Sequence, residues 1–247
     1  MKKFKFLFLA TCILATASAM QSCSDFDNDD NRVLLVPSAV VTVKPQNNGE
    51  SFIMQLDKNT ILQPTNIKTS PFGKKEVRAL VNYSETVAGD SENIRNVNIN
   101  WIDSIRTKNP VPDLGEENNE KYGNDPIEIV KDWLTVAEDG YLTLRFRTLW
   151  GYGTTKHNIN LLTNGNPDNP YELELRHDAN GDLGGEMGDA LIAFNLKDLS
   201  ISDMNDIKIK IKWKSFSGEK SAEFDLDIPE SRHIAPANQP TYSRYVN

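Results

Sequence analysis

The chain reads as an all-β protein of two domains, the second an antiparallel β-sandwich. Three observations predict this. Its apolar segments are short and rich in Val, Ile, Thr and aromatic residues. They alternate with polar residues at period two, and Asn, Gly, Asp and Pro punctuate them. A composition break at Asn109–Asn124, with two prolines, two glycines and the acidic run Glu116-Glu117-Asn118-Asn119-Glu120, divides the chain.

Strands are expected at Val33–Val43, Ser51–Asp57, Glu76–Ser84 and Val97–Ile105 in the first domain, residues 32–110. Phe52, Met54 and Leu56 alternate inward, as do Val77, Ala79, Val81 and Tyr83. Pro37 marks a bulge or break, because it cannot donate to a ladder. The linker, 111–132, is expected to end in a short helix. Asp125 would be its N-cap, Pro126 its first residue and Asp132 its end.

The second domain, 133–230, opens on the clearest hairpin. Leu134–Ala137 and Tyr141–Leu149 flank Glu138-Asp139-Gly140, and Asp-Gly between alternating strands is a strong turn signal. Leu142, Leu144 and Phe146 face one way; Tyr141, Thr143, Arg145 and Arg147 face the other. Further strands are expected at Lys156–Leu162, Tyr171–His177, Asp189–Asn195, Ile207–Phe216 and Lys220–Ile228, before a tail at 231–247. Such a run of short antiparallel strands predicts a sandwich. Centring the last turn on Ser217-Gly218 opposes Trp213 to Ala222, Ile211 to Phe224, Ile209 to Leu226 and Ile207 to Ile228. On the other face it opposes Lys212 to Glu223, Lys210 to Asp225 and Lys208 to Asp227. A one-residue slip would send lysines into the core.

The N-terminus reads as an export signal over 1–22. Lys2, Lys3 and Lys5 precede an apolar run from Phe6 to Ala15, shorter than the ~20 residues a membrane-spanning helix needs. Ala17-Ser18-Ala19 would suit ordinary signal peptidase and release a soluble protein. Met20-Gln21-Ser22-Cys23 would suit lipoprotein processing, although Met20 stands where Leu is usual. Cys12 leaves with the signal, so Cys23 is the sole cysteine of the remainder. A lone free thiol in an exported chain is reactive, whereas a lipid anchor at the signal boundary requires one cysteine. The expectation is a membrane lipoprotein attached through Cys23. The stretch 23–31 behind it is an acidic tether that resembles the signal sending lipoproteins of Bacteroidetes-type bacteria to the outer face of the outer membrane. A periplasm-facing orientation is the alternative.

Removing 1–22 takes three lysines and no acid, so the formal charge of −8 becomes −11 over the remaining 225 residues. Phosphate backbones are repelled by such a surface, which argues against nucleic acid as a partner. No cofactor is indicated.

Candidate chemistry is sparse. Lys208, Lys210, Lys212 and Lys214 could form an anion strip, but three of them oppose carboxylates in the register above and read as cross-strand pairs. Asp178, Asn180, Asp182 and Glu186 have the alternate-oxygen spacing of some Ca2+ loops. Leu183 and Asp189 stand where an EF-hand requires Gly and Glu, so a turn between strands is the plainer reading. His157, His177 and His233 lack zinc-ligand spacing, and the chain contains no G-x-S-x-G or H-E-x-x-H. Of Trp101, Trp133, Trp150 and Trp213, the register sends Trp213 to the core. Trp150 and Tyr152 lie near a loop as a ligand-binding surface, with a core role for Trp150 as the alternative.

Trp133-Leu134-Thr135-Val136, Glu138 through Phe146, Glu174-Leu175-Arg176-His177-Asp178 and Ala193-Phe194-Asn195-Leu196 resemble the NigD-like family of Bacteroidetes-type envelope lipoproteins. The resemblance covers nearly all of the chain beyond the signal. It implies an OB-like barrel followed by a β-sandwich, and it carries no catalytic or binding residues. The family name comes from a bacteriocin locus. The expected function is therefore a non-catalytic envelope lipoprotein that binds an envelope protein, glycan or peptide. A bacteriocin immunity factor is the alternative, and a glycan-acting hydrolase with dispersed carboxylates is the third.

Overall fold

The computed structural model describes residues 36–88, 93–151, 153–199 and 207–226. Cys23, the acidic tether, His233, and the ends of two predicted strands (33–35 and 227–228) lie outside them. The first domain is a closed barrel of β1 (Ala39–Gln46), β2 (Ser51–Asp57), β3 (Thr60–Pro64), β4 (Val77–Ala88) and β5 (Ile94–Ser104), in the order β1-β2-β3-β5-β4. Pairing of β1 with both β2 and β4 closes it, and β3 runs parallel to β5. Phe52, Met54 and Leu62 fill its interior beside Val41, Val43, Ala79, Val81 and Val97. Strand β3 was not expected from the sequence. It is five residues long and follows a turn in which Asp57 Oδ1 accepts the Asn59 and Thr60 N–H groups. Its polar start and terminal Pro64 hide one inward residue, Leu62.

The chain changes domain at Ile105–Thr107. The segment read as a linker is part of the sandwich. Thr107–Lys108 (β6) and Val111–Pro112 (β7) add parallel edge pairings to β13 (Glu186–Asn195) and β11 (Asn158–Thr163). A 3-10 turn, Gly115–Glu117, and a short helix α1 (Asn118–Tyr122) follow. The predicted helix from Asp125 to Asp132 is corrected to extended chain with β8 (Glu128–Ile129). Ile127 and Ile129 both point into the core, a period of two. Their neighbours' ladders win over local helix signals: Ile127 N–H donates to Lys214 O and Val130 N–H to Arg145 O. The Asp125 carboxylate caps Ala179 N–H instead of a helix.

One sheet of the sandwich has the order β6-β13-β10-β8, with β9 also on β10; the other is β15-β14-β12-β11-β7. Here β9 is Val136–Glu138, β10 Tyr141–Trp150, β11 Asn158–Thr163, β12 Glu172–Asp178, β13 Glu186–Asn195, β14 Ile207–Ser215 and β15 Gly218–Leu226. The sheets are mixed, because β12 and β14 run parallel. Asp139 and Gly140 turn the β9–β10 hairpin with φ of +52° and +75°, as a two-residue turn of this hand needs. Leu142, Leu144, Phe146 and Trp213 lie in the core between the sheets.

The last hairpin has the predicted faces but a different register. Ile211 opposes Ala222, Lys210 opposes Glu223, Lys208 opposes Asp225 and Trp213 opposes Lys220. The turn is Phe216-Ser217, with Ser217 N–H on Ser215 Oγ and Gly218 at φ +109°. A slip of two residues leaves every side chain on its face, so alternation alone could not detect it. The lysine row is structural. Lys210 and Lys212 both reach Glu172 on β12, Lys208 reaches Asp225, and Lys214 donates to Asn124 O. Such pairs contribute roughly 0.2–1 kcal/mol each. A buried Leu, Ile or Phe contributes about 1.5–3 kcal/mol, so the core holds the sandwich and the ion row tunes its register.

The outer face of the β9–β10 hairpin docks on the barrel. Arg78, fully buried on β4, donates from Nε to Thr143 Oγ1 (3.1 Å), from Nη1 to Thr42 Oγ1 (3.1 Å) and from Nη2 to Glu138 Oε2 (3.2 Å). Lys44 pairs with Asp139 at 2.8 Å. Tyr141 donates to Glu76 at 2.8 Å, and Lys197 reaches the same carboxylate. Val40, Leu80, Ile105, Leu134 and Ala193 pack there with Trp101 and Trp133. The outward half of the hairpin alternation thus becomes the domain interface.

Candidate functional site

The loop residues singled out above gather at one end of the sandwich. Strand β10 ends there at Trp150, β11 begins there, and β12 leaves through Ala179–Gly185. Asn180 and Gly181 take left-handed φ values of +50° and +82°, turning the chain sharply. Gly185, at φ +89°, crosses so close to β10 that a Cβ on it would lie 2.1 Å from Trp150 O. This crossing folds Asp182 inward, where both carboxylate oxygens accept Gly151 N–H at 3.0 Å.

Beneath it lie two histidines that spacing did not connect. His157 Nδ1 is 2.9 Å from His177 Nε2, His177 Nδ1 is 3.1 Å from Pro126 O, and His157 Nε2 is 3.4 Å from Asp182 Oδ2. Both rings are buried. The donors can be assigned in order. A carbonyl only accepts, so His177 carries its proton on Nδ1. Burial, then the neighbouring His157, pushes the His177 pKa down to about 4, so the ring is neutral and Nε2 accepts His157 Nδ1–H. Trp150 stacks on His157 at 4.3 Å and donates from Nε1 to Gly188 O at 2.8 Å.

This arrangement changes the expected sites. Trp150 is partly buried with one face on His157, so it closes the end of the core and does not stand free as a platform. Tyr152 lies outside the described residues. The four side chains of the expected Ca2+ loop point apart. Asp178 Oδ1 accepts Asn180 N–H, Asn180 donates to Lys156 O, Asp182 points inward, and Glu186 is exposed on β13. Among the described residues no three His, Cys, Asp or Glu side chains come together to hold a metal ion. Tight turns spend these oxygens on their own backbone N–H groups, as Asx residues commonly do. A signal for the histidine pair was present in strand parity. His177 follows Leu173 and Leu175, and His157 precedes Ile159 and Leu161, all inward at period two. With both rings sealed, this chain of groups pins loops together but offers no atom to a substrate.

The opposite end of the sandwich is open. A cavity of about 390 Å3 lies between residues 109–110, the β11–β12 connection and the exit of β13. Its walls carry Asn109, Asn164, Asn195 and Asp198 beside Tyr171, Pro110 and Pro170. Backbone bonds pin each wall: Asp113 N–H to Thr163 O, Lys210 N–H to Tyr171 O, Leu196 N–H to Gly140 O and Leu199 N–H to Leu196 O. Sequence reading missed it, because its walls come from three separated loops.

Comparison with known proteins agrees with this architecture. The model of the NigD-like N-terminal OB domain matches residues 40–105, and that of the NigD-like C-terminal beta sandwich domain matches residues 109–226. A crystal structure from Parabacteroides distasonis, of a protein described as toxin-related, is 32% identical with a TM-score of 0.64, covering 77% of this chain and 92% of that one. A protein of unknown function from Bacteroides vulgatus is 26% identical, TM-score 0.63, covering 76% and 90%. A NigD-like immunity protein from Bacteroides caccae is 22% identical, TM-score 0.55, covering 76% and 91%, and so shares the fold. No curated protein matches the chain.

Proposed function

The chain belongs to the NigD-like family, and from that premise we propose a non-catalytic binding module, tethered to the outer membrane by lipid on Cys23 and facing outward. Its ligand is an envelope protein, glycan or peptide. One observation carries the reading: the sandwich end remote from the sealed histidines holds a preformed cavity. A walled recess on pinned loops suits recognition. His157, His177 and Asp182 are buried in contacts within the fold. The acidic composition supports a partner other than nucleic acid.

The anchor is tested by expressing the full chain and its Cys23→Ser variant in a Bacteroidetes-type host and fractionating the cells. The native protein should sediment with membranes and be shaved from intact cells by protease, while the variant should leave the membrane fraction. A variant that stays with membranes ends the anchor claim. Turnover on a panel of glycans and peptides would end the non-catalytic claim.

Bacteriocin immunity is the second reading, favoured by the toxin-related description of the 32% identical Parabacteroides distasonis protein. Deleting the gene should then sensitise the host to a bacteriocin; unchanged sensitivity removes this reading.

A further inference from the structure

Resting on the reading of a binding module, we propose that the cavity at the β11–β12 and β13 exit binds the terminal one or two units of a neutral glycan. Its volume of about 390 Å3 falls in the range of small-molecule clefts, roughly 300–1,000 Å3. The polar side chains in its lining are the amides of Asn109, Asn164 and Asn195, the Asp198 carboxylate and the hydroxyls of Thr163 and Tyr171; Asn195 Oδ1 already accepts Lys197 N–H, and the Thr163 hydroxyl donates to Val111 O. An amide both donates and accepts, and a carboxylate accepts twice, which matches neighbouring hydroxyls that do both. Asn164 and Asp198 make no side-chain hydrogen bond among the described residues, so their capacity is open to a ligand.

The remaining walls decide the class. Tyr171 and Pro170 add flat apolar surface suited to the C–H face of a sugar ring. Among the described residues the lining contains no Lys, Arg or His. A phosphate, sulfate or acidic sugar would meet Asp198 without a compensating cation, inside a chain of formal charge −8. Among the described residues a metal would find one carboxylate, Asp198, where it needs several ligands. A fatty chain would strand the amides unpaired, at a cost of about 1–3 kcal/mol each. A neutral polyhydroxylated ring satisfies both kinds of wall at once.

The test titrates the purified full chain, held in a zwitterionic detergent free of sugar, with neutral disaccharides of glucose, galactose, mannose and N-acetylglucosamine. Binding is read by calorimetry and saturation-transfer NMR. At least one disaccharide should bind. Asp198→Ala and Asn164→Gly should each weaken it about tenfold, the worth of a hydrogen bond to a charged or well-placed polar group, with melting temperature unchanged. Asn164 has φ +66°, so glycine keeps its backbone and removes only the amide. No binding by any disaccharide overturns the neutral-sugar assignment. Binding that both variants leave intact overturns the cavity assignment while the binding-module reading stands. Hydrolysis of a disaccharide would instead defeat the non-catalytic reading.

Discussion

His157 donates from Nδ1 to Nε2 of His177 across 2.9 Å inside the sandwich, twenty residues away in the chain. A proton arriving at His177 Nε2 would face that donor, and its other nitrogen already serves Pro126 O. Its folded pKa of about 4 lies below the unfolded value of ~6.5. Unfolded chains therefore take up a proton that the native state refuses. The stability this group contributes is present above pH 6.5 and is lost as pH falls through about 4, up to ~3 kcal/mol in all. The melting temperature should drop across that window, and His177→Gln should flatten the drop. Parallel pH profiles for native protein and variant would refute the assignment.

Asp189 should shape the next acid step. Hydrogen bonds from Arg147, then those from Arg145, hold its carboxyl below the usual range against the opposing effect of burial. A depressed folded pKa contributes stability above the unfolded value of ~3.9 and loses it as pH falls further. Asp189→Asn should cost about 1–2 kcal/mol at pH 7, discounted because Arg147 is half exposed. It should also weaken the pH dependence below pH 4. Urea melts at pH 7 and pH 3 check both; equal losses at the two pH values would contradict the argument.

Arg78→Met should loosen the two domains. The substitution keeps the buried stem but removes the donor that Thr42, Thr143 and Glu138 share. Removing one partner of a buried charged pair costs about 3–5 kcal/mol. Small-angle scattering should show a larger radius of gyration where the variant still folds, and a lower melting temperature in every case. A variant as compact and as stable as the native chain would mean that the apolar contacts of Val40, Leu80 and Leu134 hold the interface alone.

Gly185→Ala should be among the most damaging single methyl additions. The position needs a left-handed backbone, and the new Cβ would lie 2.1 Å from Trp150 O and 2.5 Å from Gly151 Cα. Backbone cannot step aside as a side-chain tip can, so a loss of about 2–4 kcal/mol is expected. Gly181→Ala is the control, left-handed but with open space around it, and should cost only about 1 kcal/mol. Equal losses would show that backbone conformation alone matters at Gly185.

Much of the fold was legible because alternation is local. Phe52 and Met54, Leu142 through Phe146, and the Asp139-Gly140 turn needed only their neighbours to be placed. So did the inward face of Ile207–Trp213, which is insensitive to the two-residue register error that Phe216-Ser217 introduced. Where the local signal and the tertiary one conflict, the sequence misleads. Asp125-Pro126 reads as a helix start, yet the ladders to Lys214 and Arg145 draw Ile127 and Ile129 into a strand. Functional placement was the least legible. The histidine pair, the Arg78 contacts and the cavity each join side chains from separate loops or strands.

Local patterning was enough to read an all-β chain of two domains and the inward face of nearly every strand, because a period of two is written in consecutive residues. It took the sheet order to carry Asp182 to a buried histidine pair and to bring Asn164, Tyr171 and Asp198 to one recess. Those assignments depend on which loops the sheet order brings to each end of the sandwich, and sheet order is a non-local property.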